Sequence, residues 1–333
     1  LLIIWVGGKN IDAGSIQVGD MMAFITYTMQ IVMSFLFFTF LMMQLPRAEV
    51  AASRIDEVLG TDITVLDNEN IQDDMLSNVH GTLKFEDVSF TFDGADSPVL
   101  SNITFEAEAG KTTAIIGSTG SGKSTLLHLI PRYFDATKGR ITIDGVDIRD
   151  VSMNKLRNLL GFVPQKGVLF SGTIESNIKF GDENITDEEM KTAAEIAQAT
   201  EFILAKEEKY NSEISQGGSN VSGGQKQRLS IARALAKNPK ILLFDDSFSA
   251  LDYKTDVQLR KTLKEKMKDT TTIIVAQRIA TILHADKIIV MNEGRVVGEG
   301  KHKELLRSCP TYLEIAESQL SEEELVKGGN THE

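Results

Sequence analysis

A long uncharged segment limits the folds open to this chain. Residues 21–46 contain no Asp, Glu, Lys, Arg or His. At helical rise these 26 residues cover about 39 Å, which exceeds the ~30 Å hydrocarbon core of a bilayer. A buried core helix is the alternative, but such helices rarely run so long without a charge. The segment therefore predicts a membrane span, with the lipid bilayer as a partner.

The flanks of this span indicate its context. The chain begins with the apolar "LLIIWV", which has no basic leader and so does not fit a signal peptide. We interpret it as the tail of an earlier span, followed by a short loop, "GGKNIDAGSIQVGD", at residues 7–20. Arg47 and Arg54 follow the main span, and the positive-inside tendency assigns that side to the cytoplasm. We expect residues 1–60 to be the C-terminal part of an all-α membrane domain in the cell (plasma) membrane.

The remaining sequence differs in kind. A chain of 333 residues predicts two units. The stretch "RAEVAASRIDEVLG" has helical spacing and ends at a glycine, so we expect a helix to continue out of the membrane. Residues 61–80 are then predicted to be a polar linker, residues 81–320 a second, cytoplasmic domain, and residues 321–333 a polar tail.

Composition excludes several functions. The net charge is −12, with 35 Lys plus Arg against 47 Asp plus Glu. An acidic chain does not present the basic face that phosphate backbones need, so no nucleic acid is expected as a partner. The single cysteine, Cys309, cannot form an internal disulfide, and no Cys/His spacing typical of a metal site occurs. We assign His80, His128, His284 and His302 to surface or packing roles.

The second domain has the pattern of a mainly parallel sheet covered by helices. Short β-type runs ("TTAIIG", "ILLFDD", "TTIIVA", "KIIVMN") alternate with helical stretches. Near the start of the domain, "TLKFEDVSFTF" and "LSNITFEAE" alternate apolar and polar residues, as edge or antiparallel strands do. Thr186 and Glu189 form a capping box that opens one helix. This predicts an α/β fold.

The segment "GSTGSGKST" carries the first chemistry. It satisfies the spacing G-x-x-x-x-G-K-[ST] between a strand and a helix, which is the setting that a phosphate-binding loop requires. Its glycines let backbone N–H groups face a polyphosphate, Lys123 adds a positive charge, and the Ser124 hydroxyl can bind Mg²⁺. A glycine-rich turn formed by chance is the alternative. The predicted binding residues are Gly117, Ser118, Thr119, Gly120, Ser121, Gly122, Lys123, Ser124 and Thr125. Asp245, at the end of the apolar run 241–244, adds a hard oxygen ligand for the metal.

A second anion-binding helix start lies in "NVSGGQKQRLSIARAL", and here the resemblance becomes specific. Val221, Ser222, Gly223, Gly224 and Gln225 resemble the signature motif of ATP-binding cassette (ABC) proteins. The resemblance covers residues 81 to about 320 and implies an α/β P-loop NTPase, with a RecA-like core and antiparallel β and α-helical subdomains. It implies ATP and Mg²⁺ as cofactors, and the preceding span is similar to the last transmembrane helix of a fused exporter half.

The resemblance also assigns further residues. Gln165, in "FVPQKGVLFSGTIESNI", matches the Q-loop position beside Mg²⁺ and the attacking water. Phe92 matches the aromatic ring that stacks on adenine, although a plain strand aromatic is the alternative. Residues 249–252, "SALD", match the D-loop. The signature serine and glycines cap the ATP held by the opposite subunit, so a second ABC exporter half is implied as a partner.

Three positions depart from the family pattern. Asp246 stands where the family has Glu as general base; it is one methylene shorter, and a displacement of about 1 Å can cost on the order of 10²-fold in rate. Gln277 stands where the family has the switch histidine, and an amide cannot take up a proton near neutral pH. In residues 214–220, "ISQGGSN" replaces a Glu-Arg pair common in exporters. We thus predict Asp246, Gln277 and Gln165 at a catalytic position that binds ATP well and hydrolyses it poorly.

A deviant pocket beside an intact signature is what one half of an asymmetric dimer would carry. The sequence therefore resembles the degenerate half of heterodimeric multidrug-type ABC exporters, whose partner carries the competent Glu and His and whose cargo is a small molecule, lipid or peptide. A homodimeric exporter with two slow sites is an alternative. A soluble regulatory ABC ATPase is another, but it leaves residues 21–46 without a role.

Overall fold

The computed structural model describes residues 1–68 and 71–320, and the predicted polar tail 321–333 lies outside them. The chain divides into two units, Leu1–Thr64 and a larger unit that begins at Val65. Each is described by itself below.

The first unit consists of helices α1 (Leu2–Asp12) and α2 (Val18–Leu59). The prediction of a loop over residues 7–20 is wrong for most of its length, because only residues 13–17 lie between the two helices. Gly7 does not end α1; it lies against α2, where a Cβ on it would stand 2.9 Å from Met21 Sδ. The glycine therefore permits a close approach of the two helices.

Helix α2 runs without a break through Pro46 to Leu59, so the predicted extension of the helix beyond the uncharged segment is confirmed. It is long and apolar enough to cross a bilayer, and none of its residues is buried within the described chain. Its hydroxyl groups bond within the helix: Thr26, Thr28, Ser34 and Thr39 each donate to the carbonyl four residues earlier. Polar atoms satisfied in this way are compatible with an apolar surrounding.

The larger unit is built on three sheets. The six-stranded sheet has the order β12-β11-β3-β10-β9-β6, the four-stranded sheet has the order β2-β1-β4-β5, and β7 pairs with β8. The strands are β1 (Leu83–Phe90), β2 (Leu100–Ala107), β3 (Thr112–Gly117), β4 (Lys138–Ile143), β5 (Val146–Asp147), β6 (Leu160–Val163), β7 (Gly172–Thr173), β8 (Glu213–Ile214), β9 (Ile241–Asp245), β10 (Thr271–Val275), β11 (Lys287–Asn292) and β12 (Arg295–Gly300).

Ten α-helices accompany these strands in the described part of the unit. They are α3 (Lys123–Leu129), α4 (Met153–Leu159), α5 (Ile174–Ile178), α6 (Asp187–Ile196), α7 (Thr200–Leu204), α8 (Gly223–Ala236), α9 (Tyr253–Lys266), α10 (Ile279–Ile282), α11 (His302–Ser308) and α12 (Pro310–Glu317). The predicted capping box at the start of α6 is confirmed, because Thr186 accepts from Glu189 N and Glu189 accepts from Thr186 N.

The large sheet is mainly parallel and buried on both faces. Strand β3 shows the alternation: Ala114 and Ile116 pack into one core, while Ile115 packs into the core on the other face. Burial on both faces is what makes such strands read as unbroken apolar runs. The antiparallel sheet of β1, β2, β4 and β5 lies beside one of these cores. The predicted α/β fold, with an added antiparallel β part, is confirmed.

The predicted linker 61–80 is divided between the two units. Leu76 and Val79 are buried in the core of the larger unit. Arg132, fully buried, pairs with Asp135 and also donates from Nη2 to Leu66 O at 2.9 Å. These contacts make residues from Val65 onward part of the folded unit, even though their polar composition is typical of a linker.

Candidate functional site

The site lies where neighbouring parallel strands end. Strands β11, β3, β10, β9 and β6 are adjacent and parallel, so their carboxyl ends share one edge of the sheet. Ligands of open α/β sheets bind at this edge. The residues that follow β3, β9, β10 and β6 are the phosphate loop, the Asp245–Asp246 pair, Gln277 and Gln165, so the topology brings together groups that are far apart in sequence.

The phosphate loop needs glycine for steric reasons. A Cβ on Gly117 would stand 2.2 Å from Met291 O on the neighbouring strand β11. Gly122, with φ of 92°, is the N-cap of α3, and a Cβ there would stand 2.7 Å from Leu100 Cδ2. The other side of the loop is open: Ser118, Thr119 and Gly120 are exposed, and Gly120 has a φ of 83°. The loop is therefore packed tightly at its base and presents backbone to solvent, as a polyphosphate cradle requires.

Lys123 lies inside this loop. It is 7% exposed and donates from Nζ to Gly117 O at 2.9 Å, to Ser118 O at 2.7 Å and to Ser121 Oγ at 3.3 Å. Burial lowers the pKa of Lys123, while the nearby carboxylates of Asp246 and Asp245 act in the opposite direction. The ammonium group is thus held among oxygen atoms and close to both aspartates.

Ser124 and Asp245 meet at the metal position predicted for them. Ser124 Oγ donates to Asp245 Oδ1 at 2.8 Å. A hydroxyl and a carboxylate at this distance are the oxygen donors that Mg²⁺ takes beside phosphates, so the residues fit the ion. His128, which the sequence assigned to packing, has Nε2 at 3.8 Å from Asp245 Oδ2. The next residue of the motif, Thr125, lies in the first turn of α3.

Asp246 is the centre of a small hydrogen-bond network. Its Oδ2 accepts from Gln277 Nε2 at 3.0 Å and from Gln165 Nε2 at 3.2 Å. The residue is 8% exposed and its φ of 46° is left-handed, a backbone conformation that occurs preferentially at functional positions. Burial raises the pKa of Asp246, and the hydrogen bond from Gln165 acts against this. The structure therefore brings together all three residues predicted at the catalytic position.

The loop that carries Gln165 is held by a residue that the sequence reasoning missed. Gln227, 1% exposed, accepts from Gly167 N at 2.8 Å and donates to Pro164 O at 3.0 Å. Ser247 Oγ adds a bond to Val163 O at 2.8 Å. Gln227 lies on α8, so the helix that begins at the signature motif also fixes the Gln165 loop. The sequence carries no signal for this role, because a glutamine on a helix does not reveal its distant partners.

The signature residues lie at the start of α8. Ser222 is its N-cap, accepting from Gln225 N at 3.3 Å, while Gln225 Oε1 accepts from Ser222 N at 3.1 Å. A Cβ on Gly223 would meet nothing within 4 Å, and one on Gly224 would meet only Ala250 O, at 3.6 Å. Among the described residues, no hydrogen bond joins this helix start to the phosphate loop.

Phe92 lies on the connection between β1 and β2. Its ring is 40% exposed and packs edge-on against Phe90 and Phe134, at centroid distances of 4.8 and 5.3 Å. The same connection returns beside the phosphate loop, because Val99 O would stand 3.2 Å from a Cβ on Gly122. An exposed ring that packs on two other aromatic rings is compatible with stacking on a base.

The two remaining motif segments are defined locally. Asp252 caps α9 by accepting from Thr255 N at 3.0 Å, and Ser249 Oγ donates to Asp246 O at 2.7 Å. In the segment 214–220, Asn220 binds Ser215 N and Glu213 O in place of an ion pair. The Ser249 hydrogen bond ties the 249–252 turn to the backbone of Asp246.

Comparisons with known proteins agree with this geometry. The family model described as "ABC transporter" matches residues 100–249. An uncharacterized ABC transporter ATP-binding protein of Mycobacterium tuberculosis is 45% identical over 95% of this chain and 54% of its own length. An ATP-dependent lipid A-core flippase of Syntrophus aciditrophicus is 35% identical over 97% of the chain and 53% of its own length. The chain spans about half the length of the curated relatives it matches.

A solved structure is similar as well. It is described as a bacterial Atm1-family ABC exporter with ATP bound, and it matches 92% of this chain and 53% of its own, with 36% identity and a TM-score of 0.76. The similarity extends over nearly the whole chain, the apolar helix region included.

Proposed function

This chain belongs to the ABC transporter family, and we propose that it is part of an exporter subunit whose own ATP pocket is degenerate. Its signature motif completes the ATP pocket of a different partner subunit. Residues 1–60 are then the end of its membrane domain and residues 81–320 its nucleotide-binding domain, on the cytoplasmic side of the plasma membrane. Binding and hydrolysis of ATP at the dimer would drive export of a small molecule, lipid or peptide.

The observation that carries the proposal is the pair of amides on Asp246. A competent pocket needs a base that reaches the attacking water and a neighbour that can take up or relay a proton. Here the carboxylate has the shorter Asp stem, and Gln277 and Gln165 both donate to the same oxygen, Oδ2. An amide donates hydrogen bonds but does not titrate near neutral pH. The pocket is therefore suited to holding ATP and poorly suited to hydrolysing it.

Binding, in contrast, has its full set of groups. Lys123 and the open backbone of the phosphate loop face the site of the phosphates, and Phe92 offers a ring to the base. Ser124, Asp245 and Gln165 would hold Mg²⁺, which when bound neutralises negative charge on the phosphate oxygens. This combination supports a long-lived ATP complex in the pocket.

The signature motif supports the requirement for a partner. Gly223 has open space around it, and Ser222 stands at a helix start where N–H groups face outward. Such a start attracts an anion, and among the residues that the structure describes no hydrogen bond joins it to the phosphate loop of its own chain. We assign this surface to the γ-phosphate of ATP held by the partner, whose pocket supplies the competent Glu and His.

Helix α2 supports the membrane role. Its large apolar side chains are exposed along the uncharged segment, among them Phe24, Phe35, Phe37, Phe38 and Leu45. A soluble regulatory ATPase would have to keep this surface in water, which is unfavourable at roughly 25 cal/mol per Å². Lipid and the other helices of a membrane domain provide the apolar surroundings that α2 needs.

One experiment separates this chain's pocket from the one it completes. In the two subunits purified together, Ser222→Arg or Gly223→Asp should abolish most ATP hydrolysis and transport, the first by bulk and the second by placing a carboxylate against phosphate. Asp246→Ala should cost far less turnover, and ATP held by Lys123 should remain. The measurements are steady-state hydrolysis, transport and labelled-nucleotide binding.

A matched control separates loss of the contact from loss of a helix cap. Thr186 also closes a capping box, at the start of α6, so Thr186→Arg removes a similar cap elsewhere and should leave hydrolysis nearly unchanged. If Asp246→Ala stops hydrolysis while the signature substitutions are tolerated, the working pocket is this chain's own. A single subunit that hydrolyses ATP at an ordinary rate when purified alone would favour the homodimer.

A further inference from the structure

The backbone that follows Gln277 is held by a side chain from the C-terminal part of the larger unit. Gln319 donates from Nε2 to Gln277 O at 2.8 Å, and its Oε1 accepts from Ile279 N at 2.9 Å. One amide thus bridges the residue that reaches Asp246 and the first residue of α10. The two bonded groups are 40 and 42 residues away in sequence from Gln319.

Gln319 is itself carried by a well-anchored helix. It follows α12, and its backbone N–H donates to Ala316 O at 3.1 Å. Tyr312 and Ala316 on that helix are fully buried, and the Tyr312 hydroxyl lies 2.7 Å from His302 Nδ1. The amide of Gln319 is therefore presented from packed structure, although the side chain as a whole is exposed.

The segment that Gln319 bridges is fixed by other contacts at both of its ends. Ala276 N is fixed to Ile115 O at the end of the sheet, and Arg260 binds Ala280 O and Thr281 O of α10. Between these points lie Gln277 and Arg278, both exposed, and Ile279, which is fully buried. The direction of the Gln277 side chain consequently depends on how its own peptide group is held.

We propose that Gln319 is a positioning residue that holds the Gln277 amide where the outermost phosphate of a nucleoside triphosphate would lie. In this way α12 contributes to the preference of this pocket for ATP over ADP. The inference rests on the proposed function, because it requires ATP to bind to Lys123 and the phosphate loop. The Gln277 amide lies at the same sheet edge as that loop and donates a hydrogen bond to Asp246. The Asp246 carboxylate is in turn close enough to Lys123 to affect the pKa of the lysine.

The test compares two nucleotides in one pocket. In the full-length protein with its partner, and with the partner's own phosphate loop disabled, the dissociation constants of MgATP and MgADP are measured for the wild type and for Gln319→Leu. Loss of one or two such hydrogen bonds should raise the dissociation constant of MgATP by about 3- to 10-fold. MgADP has no γ-phosphate, so its dissociation constant should change less than about 2-fold in the same variant.

Two further variants make the role specific. Gln319→Glu keeps the acceptor for Ile279 N but places a carboxylate oxygen against Gln277 O, so it should weaken MgATP binding at least as much as Gln319→Leu does. If Gln319 acts through Gln277, then Gln277→Ala and the double variant Gln277→Ala/Gln319→Leu should show the same preference for ATP. Ser318→Ala, at the adjacent exposed position, is the matched control and should behave as the wild type.

The outcomes separate this inference from the proposed function. Three outcomes would each overturn the role of Gln319 and leave the degenerate pocket intact. The first is an equal weakening of MgATP and MgADP binding, and the second is an unchanged ratio of the two dissociation constants in Gln319→Leu and Gln319→Glu. The third is additive effects in the double variant. Absence of MgATP binding to this pocket in the wild type would overturn both. The unfolding temperature without nucleotide, measured for each variant, shows whether a loss reflects unfolding.

Discussion

The side-chain amide of Gln277 donates to Asp246 at 3.0 Å, and the two residues come from neighbouring parallel strands. The contact follows from register: Val275 pairs with Asp245, so the residues just past each strand end face one another. The same register would bring a histidine at position 277 beside a glutamate at position 246. Under the proposed function, the pocket would therefore differ from a competent one in these two side chains, while the strand register stays the same.

This leads to a gain-of-function prediction. The double variant Asp246→Glu/Gln277→His should raise hydrolysis in this pocket, since a positioned base contributes about 10²- to 10⁴-fold. Single-turnover hydrolysis is measured in a dimer whose other pocket is disabled. Each single variant should gain much less, because either one lacks half of the pair. No gain in the double variant would show that other groups limit the pocket.

The second prediction concerns nucleotide binding. Lys123→Ala should weaken ATP binding in this pocket by about 10- to 100-fold, because it removes charge-assisted hydrogen bonds to the outer phosphates. Lys111, an exposed lysine just before β3, provides the matched control, and Lys111→Ala should bind ATP as the wild type does. Labelled-nucleotide titration measures both. Unchanged binding in Lys123→Ala would contradict the assignment of the phosphate loop.

The third prediction concerns the residue that fixes the Gln165 loop. Gln227→Leu leaves Gly167 N and Pro164 O without their buried partner, which costs about 1–3 kcal/mol of unfolding free energy. Gln258 lies exposed on α9, so Gln258→Leu should change stability by less than about 0.5 kcal/mol. Denaturant or thermal unfolding of the purified protein compares them. Equal stability of the two variants would mean that the buried amide has no structural role.

The fourth prediction concerns acid sensitivity. Burial lowers the pKa of His302 below its ordinary value of 6.5, and among the described residues its Nε2 has no hydrogen-bond partner. The unfolded chain then binds a proton at higher pH than the folded one, so this contribution to stability is complete above pH ~6.5 and falls as the pH drops below it.

We therefore expect His302→Gln to reduce the fall in unfolding temperature between about pH 7.5 and about pH 5.5. Glutamine stays neutral over this range and can still accept from the Tyr312 hydroxyl. His80 is exposed, so His80→Gln should retain the pH dependence of the wild type. An identical pH dependence in His302→Gln and the wild type would rule out His302 as the group responsible.

The sequence predicts the phosphate loop, Asp245 and the order of strands and helices because each is encoded within a few neighbouring residues. The loop motif lies between a strand and a helix, and the strands of the large sheet contain short apolar runs such as residues 241–244. Gln227 and Gln319 could not be predicted in this way. Each bonds to backbone groups at least 40 residues away, and a glutamine on a helix or just after one carries no signal for such a partner.

The errors in the helix and linker boundaries have a similar cause. Two adjacent glycines and a polar stretch predict a loop at residues 7–20, yet the contact of Gly7 with Met21 favours helix. Acidic, polar residues predict a free linker at 61–80, yet Asp73 accepts hydrogen bonds from Ser152 N and Oγ at 2.8 Å. Local composition does not reveal partners that tertiary structure provides.

The burial of Arg132 against Leu66 determines where this domain can be cut. A soluble fragment that starts at residue 81, where the strand pattern begins, would lose Leu76 and Val79 from its core and one acceptor from a guanidinium that is 1% exposed. Leaving such a charged group short of partners is costly, so this fragment should aggregate or unfold readily. A fragment that starts at Val65 retains these residues. It is therefore the fragment to express for nucleotide-binding measurements in the absence of a membrane.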